Sequence, residues 1–551
     1  MTATAASAEV SGGRVPRPRR AALTDRAPRA ALAVFAVVVL GAVVFYVIKG
    51  RDQWFFQDEW DFLADRDGGS LDDLFRPHNE HWSTLPIIVY RILWRTVGLR
   101  SYVVYQSLTI GLHLTAALML RAVMRRAAVG PWVATAAASA FVLFGSGYQN
   151  IVWAFQIGFT GSLVLGLAHL LLADHDGPSF ERRDGAGLAC GLGALMCAGV
   201  GVTMVVVVGT ALLLRRRWWA AALHTVPLGV VYLSWWWLYG RDAYGSEKSS
   251  PSDVVEFARI GIGNGLGKLG QLPGLGAVLT VLLLVGLVLA AVQGGRRFWR
   301  QRALPLAMAF GAAVFFSLSG LGRAEAFGFE FARRSRYAHL AVAMLLPALA
   351  VAMESFVRRW RLLALPAVAM LLVGVHGNLG AVEVAENKGV DPALVIALAQ
   401  VPAEATVPAS FRPFAESPER VGFEHRIVGD APRLTMGWLR EGVATGRIPE
   451  LRPVAPDIVA DATILLALFV DDEPAAVGPC VPLERAVTRR LDAGEAIGFR
   501  GPVLVTIRTP GGVPSRILGI ARPRPSRLVT RYGPLTVTMA PFPGPPVQRC
   551  D

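Results

Sequence analysis

The chain has 551 residues, 53% of them hydrophobic against 17% charged, with a mean hydropathy of +0.44. That is more apolar surface than one soluble core can bury, which excludes an ordinary globular domain in water. Lys and Arg outnumber Asp and Glu by 55 to 41, but the basic residues sit beside apolar runs and not in a patch of their own; this excludes nucleic acid as the partner and points to membrane topology. The preference for Arg over Lys, with abundant Ala, is the bias expected of a GC-rich bacterial genome.

Residues 1–29 form a basic tail with Arg14, Arg17, Arg19, Arg20, Arg26 and Arg29. The apolar run at 30–48 that follows is long enough to cross a bilayer core of about 30 Å as a helix. It exceeds a signal-peptide core and no small-residue cleavage site follows, so an uncleaved first span is expected. Further apolar runs lie near 102–120, 133–145, 157–172, 187–198, 201–214, 220–238, 275–292, 304–321, 340–353 and 362–375, about eleven in all. The stretch 187–214 admits two short spans or one kinked one, and Gly199 and Gly201 favour a hairpin. Cys190 and Cys197 within it are expected to pack on one helix face. Arg121, Arg125 and Arg126, Arg182 and Arg183, Arg215 to Arg217, Arg296 to Arg302 and Arg358 to Arg361 fall in alternate loops, which predicts that they and the N-terminus are cytoplasmic. Residues 30–377 are then the transmembrane domain, with an outer loop at 50–100, and the odd count places 378–551 outside the membrane.

Residues 378–551 are Pro-rich and less apolar. Helices are expected at 392–400 and 436–444, and strands at 462–469, 503–508, 515–521 and 535–539. The fold class is therefore mainly α, a polytopic helical membrane domain with a C-terminal extracytoplasmic α/β or β-sandwich domain. Cys480 and Cys550 both lie in that domain, where a disulfide is plausible chemistry for an oxidising compartment.

Four segments carry residues suited to chemistry. The first outer loop reads Trp54-Phe55-Phe56-Gln57-Asp58-Glu59-Trp60-Asp61. Acids interleaved with aromatics suit an interfacial segment, where partial desolvation makes a carboxylate a better base; Asp58 is the first candidate, with Glu59 and Asp61 beside it. His78, Asn79, Glu80 and His81 follow. They lack the i, i+4 histidine spacing of a zinc helix, and suit hydrogen bonding to a hydroxylated substrate, a phosphate or a loosely held divalent cation. Tyr148, Gln149, Trp153 and Gln156 pair amides with aromatics, the residue types that bind sugar hydroxyls and ring faces, although an interfacial aromatic belt explains the rings equally well. Arg323, Arg333, Arg334, Arg336 and Tyr337 place four guanidiniums on the outer side, against the positive-inside trend; an anionic ligand such as phosphate explains them, and so does ion pairing with Glu325 and Glu330.

Together, the first span, the Asp58-Glu59 pair after it, the His78-Asn79-Glu80-His81-Trp82 segment, the many spans, the late Ser335-Arg336-Tyr337 segment and the terminal domain resemble the GT-C superfamily of membrane glycosyltransferases. The resemblance covers mainly the first 160 residues and 323–340, with Asp58-Glu59-Trp60-Asp61 in place of the commoner Asp-x-Asp. It implies a polyprenyl-phosphate-linked sugar as donor, an envelope glycan, lipid or protein as acceptor, and Asp58 as general base or acceptor-positioning residue. An inverting single displacement would need one essential carboxylate. No motif requires a cofactor, and Mg or Mn is the one candidate. The competing classes are a transporter or flippase for a lipid-linked saccharide and a non-catalytic scaffold; charge-poor spans without a visible repeat weigh against the former.

Overall fold

The computed structural model describes residues 26–66, 69–178, 180–241, 249–382, 391–400, 407–414, 431, 433–449, 453, 455–471, 478–508, 516–531, 534–541 and 546–550, with side chains left aside at 26, 400, 460, 468–471 and 516–525. Arg14, Arg17, Arg19 and Arg20 lie outside the described residues.

The first helix, α1 (Arg26–Gly50), is apolar on every face, and Val37 and Leu40 are 69% and 67% exposed. Only lipid can cover such side chains. Its inner stripe, Phe35, Ala42 and Tyr46, is fully buried, and the Tyr46 hydroxyl donates to the Val142 carbonyl at 2.9 Å. After an amphipathic helix α2 (Thr84–Thr96) come α3 (Tyr102–Arg126), α4 (Pro131–Val142), α5 (Ile157–Ala173), α6 (Arg182–Leu195), α7 (Val200–Leu214) and α8 (Trp218–Trp235). The bundle continues with α9 (Pro251–Gly270), α10 (Leu275–Gly294), α11 (Ala303–Phe327), α12 (Ser335–Arg359) and α13 (Ala364–Leu372). Among the described residues seven helices are long and apolar enough to cross a membrane, and α4 and α7 are shorter apolar helices. The chain is a multi-pass helical bundle around α12, whose residues from Tyr337 to Ser355 are all buried.

The segment 187–214 is the hairpin α6–α7, turning through residues 196–199. Cys197 is buried in that turn, beyond the end of the helix that carries Cys190, so the two do not share one helical face.

The basic clusters gather at one end of the bundle. There Arg126 and Arg215 pair with Asp174, Arg358 pairs with Glu354, and Arg217 donates to the Gly177 carbonyl at 2.9 Å. The other end collects the 51–101 loop, the turn 143–156 and the start of α12.

Helix α9 has no counterpart among the expected spans. Both its ends lie at this second end: Ser249 N donates to Leu321 O at 3.2 Å, and the Asn378 amide donates to Lys268 O at 3.0 Å. It therefore lies across the bundle instead of traversing it. Its start was legible, because Ser250 caps Asp253 N and Pro251 fills the first turn.

The C-terminal part begins with α14 (Pro392–Gln400), α15 (Met436–Ala444) and α16 (Pro456–Ala467). Seven strands follow: β1 (Leu468–Asp471), β2 (Cys480–Pro482), β3 (Val487–Leu491), β4 (Ala496–Arg508), β5 (Arg516–Thr530), β6 (Leu535–Pro541) and β7 (Gln548–Cys550). They make one antiparallel sheet in the order β1-β5-β4-β6-β3, with β7 joining β2 to β4. This is a single sheet backed by a helix, the mixed form of the two expected, and not two facing sheets. The expected strand at 462–469 is mostly α16, since a short apolar run fits either a buried helix or a strand. Cys480 and Cys550 are disulfide-bonded across β2 and β7.

Candidate functional site

The loop at 51–101, with α2 in it, and the helices α14–α16 share one hydrophobic core, in which Phe55, Trp60 and Tyr90 pack with Leu398, Leu439 and Leu466. Trp438 stacks on Trp94 at 4.4 Å and donates its indole N–H to Leu63 O at 3.0 Å. Leu99 N donates to Arg447 O at 2.8 Å. The loop is thus a packed platform and not a solvated strand of chain.

On that platform Gln57 takes φ 45°, a left-handed conformation costly for a side chain with a Cβ. The sharp turn sends consecutive acids in opposite directions. The Asp58 side chain is 38% exposed, whereas Glu59 is fully buried. Glu59 receives the Tyr90 hydroxyl at 2.7 Å, Phe56 N at 2.9 Å, the Trp153 indole N–H at 3.3 Å and the Tyr102 hydroxyl at 3.3 Å. Burial pushes its pKa up to about 8, while the tyrosine, backbone and indole donors pull it back. Expected beside Asp58 as a catalytic acid, Glu59 is closed off from solvent.

His78 and His81 bracket a tight turn in which each backbone N–H donates to the other's carbonyl at 3.0 Å, with exposed Asn79 at φ 50°. Asn tolerates that conformation, which explains why the segment is not helical. His78 is buried, with Nε2 3.8 Å from Asp58 Oδ2 and Nδ1 3.6 Å from Asp61 Oδ2. Asp61 is raised above the ordinary carboxyl range, chiefly by burial, against the opposing charges of His78 and Arg433. His81 is driven down to about 3, first by burial and then by the charges of His78 and Arg336, so it is a neutral donor or acceptor at physiological pH. Arg66 clamps the approach to this turn, donating to Arg76 O at 2.6 Å and Pro77 O at 2.7 Å; burial lowers its pKa to about 10.

The arginines between 323 and 336 divide. Arg333 pairs with Glu330 at 3.0 Å on the surface. Arg323 pairs with Glu80 and donates to the Tyr337 hydroxyl, not to Glu325. Arg334 and Arg336 lie over the Phe331 ring at 4.3 and 5.4 Å. Arg336 also acts electrostatically on Asp58 and His81, and its carbonyl accepts from the Asn150 amide at 2.9 Å. The structure therefore brings Asp58, Asp61, His78, Glu80, His81, Arg323 and Arg336 to one place.

Tyr148 and Trp153 are 7% and 1% exposed, and Trp153 is committed to Glu59 and to an edge contact with Phe56 at 5.3 Å. Neither ring offers a free face to a sugar. Their neighbours Gln149 and Gln156 do present buried side-chain oxygens without hydrogen-bond partners, as do Asn150 Oδ1, His78 Nε2, His81 Nδ1 and Arg336 Nε in nitrogen or oxygen. Among the described residues no group of three or more His, Cys, Asp or Glu side chains is arranged to hold a metal ion. Sequence reasoning missed Arg433, whose Nε lies 3.2 Å from Asp61, because nothing in the chain between them marks the contact.

No protein-family model matches this chain, and no curated protein matches it. Among solved structures it is similar to ArnT from Cupriavidus metallidurans in the apo state, at 16% identity over 80% of this chain and 93% of that one, with a TM-score of 0.47.

Proposed function

We propose that the protein is a membrane glycosyltransferase that moves a sugar from a polyprenyl-phosphate donor to an extracytoplasmic acceptor, an envelope glycan, lipid or protein. The observation that carries this reading is the meeting, at the bundle end opposite the basic clusters, of an accessible carboxylate, Asp58, with buried His78, half-buried His81 and the guanidinium of Arg336. The cytoplasmic side is assigned to the Arg clusters, so the N-terminus is cytoplasmic and the sheet domain extracytoplasmic.

In the proposed reaction Asp58 takes the proton of the acceptor hydroxyl as its oxygen bonds to the anomeric carbon. The bond from that carbon to the phosphate oxygen breaks, and its electron pair leaves on the phosphate. Arg336, with Arg323 and Arg334 nearby, stabilises that charge. One carboxylate acting in one displacement inverts the anomeric centre. Unpaired buried polar atoms at His78, His81, Gln149 and Gln156 support a hydroxyl-rich ligand, since such atoms are costly until something hydrogen-bonds to them.

The test is transfer of labelled sugar from a polyprenyl-phosphate donor by membranes containing the protein. Asp58→Asn should lower the rate by about 10²–10⁴-fold, the usual weight of a general base, with insertion unchanged. Normal turnover by that variant refutes the assignment.

A further inference from the structure

We propose that Arg433, supplied by the C-terminal half of the chain, is a positioning residue for the Asp58 base and acts through Asp61 and His78. This rests on the glycosyl-transfer reading above. Arg433 Nε is 3.2 Å from Asp61 Oδ1 and its Nη1 is 2.6 Å from Asp65 Oδ2. Asp65 has a second cation, Arg76, at 2.8 Å. Among the described residues Asp61 has no other Arg or Lys within ion-pair distance, and His78 is its remaining partner at 3.6 Å. The four side chains thus form a line from Arg433 to Asp61, His78 and Asp58.

The line has a direction. The groups acting on Asp61 are Asp58, Asp65, Arg66, His78 and Arg433. Two of them are carboxylates, so a neighbouring cation keeps Asp61 ionised. Ionised, Asp61 attracts the Nδ1 edge of His78 across 3.6 Å and favours the ring placement that sets Nε2 toward Asp58. Protonated, it no longer does, and the ring loses the attraction that orients it. The shared core that joins α15 to the first loop holds Arg433 in register with an acid more than three hundred positions earlier in the chain.

The experiment uses full-length protein in lipid nanodiscs, with Arg433→Gln, Arg433→Lys, Asp61→Asn and the Arg433→Gln/Asp61→Asn double variant. Two quantities are read: transfer kinetics, and the pH midpoint of carbodiimide labelling at Asp61, which reports the protonated carboxyl and needs no turnover. Arg433→Gln should lower kcat by about tenfold with donor KM within about twofold, and raise the labelling midpoint by about one unit. Arg433→Lys should restore most of both, which also controls for folding, and the double variant should be no slower than Asp61→Asn alone. An unmoved labelling midpoint, or kinetic losses that multiply in the double variant, overturns the inference. If the wild type transfers no sugar, the reaction assigned above fails by itself, and the labelling midpoint still decides whether Arg433 governs Asp61.

Discussion

Glu59 offers the sharpest test of the platform, because its chemistry is separable from that of Asp58 one residue away. It is fully buried, and its pKa of about 8 stands above the ordinary 4.5. A carboxyl whose folded pKa exceeds its unfolded value stabilises the fold fully below about 4.5, and that contribution is lost as pH rises through about 8. The gap is worth roughly 4–5 kcal/mol. Glu59→Gln imitates the protonated acid: its oxygen can still accept from Phe56 N and Trp153, and its amide can face Tyr90. At pH 6 the variant should therefore cost no more than about 1–3 kcal/mol. Between pH 5 and 9 the wild type should lose thermal stability in nanodiscs while Glu59→Gln stays flatter, so that the two curves converge or cross. At pH 6 Glu59→Gln should also retain transfer within a few fold. A variant that folds normally but loses transfer as Asp58→Asn does, or one that keeps the full pH slope, would refute the reasoning.

Arg336→Ala should raise donor KM and lower kcat together, since a phosphate contact serves both binding and the leaving group, whereas Arg333→Ala, which breaks a surface pair with Glu330, should leave kinetics within about twofold. Deleting 478–551 should leave some transfer with altered acceptor use, but deletion from Asp457 should abolish it, because Ile458, Ala462 and Leu466 of α16 lie in the loop core; equal activity of the two truncations counts against this. A reporter active only in the cytoplasm, fused at Asp551, should stay silent, and strong activity would reverse every outer assignment.

What could be read in advance followed from periodicity and charge. The spans and their basic ends are legible because lipid and retention of Arg leave strong, local marks, and helix α9 could have been found from Ser250-Pro251 alone. The acids of the first loop were visible as a group, but not which of them faces outward: a left-handed Gln57 decides that, and Gln carries no signal for φ above zero. Trp153 looked like a sugar platform by residue type and proves to be a hydrogen-bond donor to Glu59. Arg433 was invisible for a different reason. Its role depends on a contact across the shared core, and one sequence contains no trace of pairing at such separation.

That shared core also sets a timetable for biogenesis. The aromatic underside of the first loop, including Phe55, Trp60 and Trp94, is buried by residues 394–466, which are made some three hundred residues later. At about 5–20 residues per second the loop waits roughly 15–60 s for its cover. During that interval the acids cannot be held as they are in the finished protein, so the site is not assembled until the last third of the chain has folded onto the loop. The nascent loop should then be a client for chaperones, and a chain stopped before Pro392 should present it permanently.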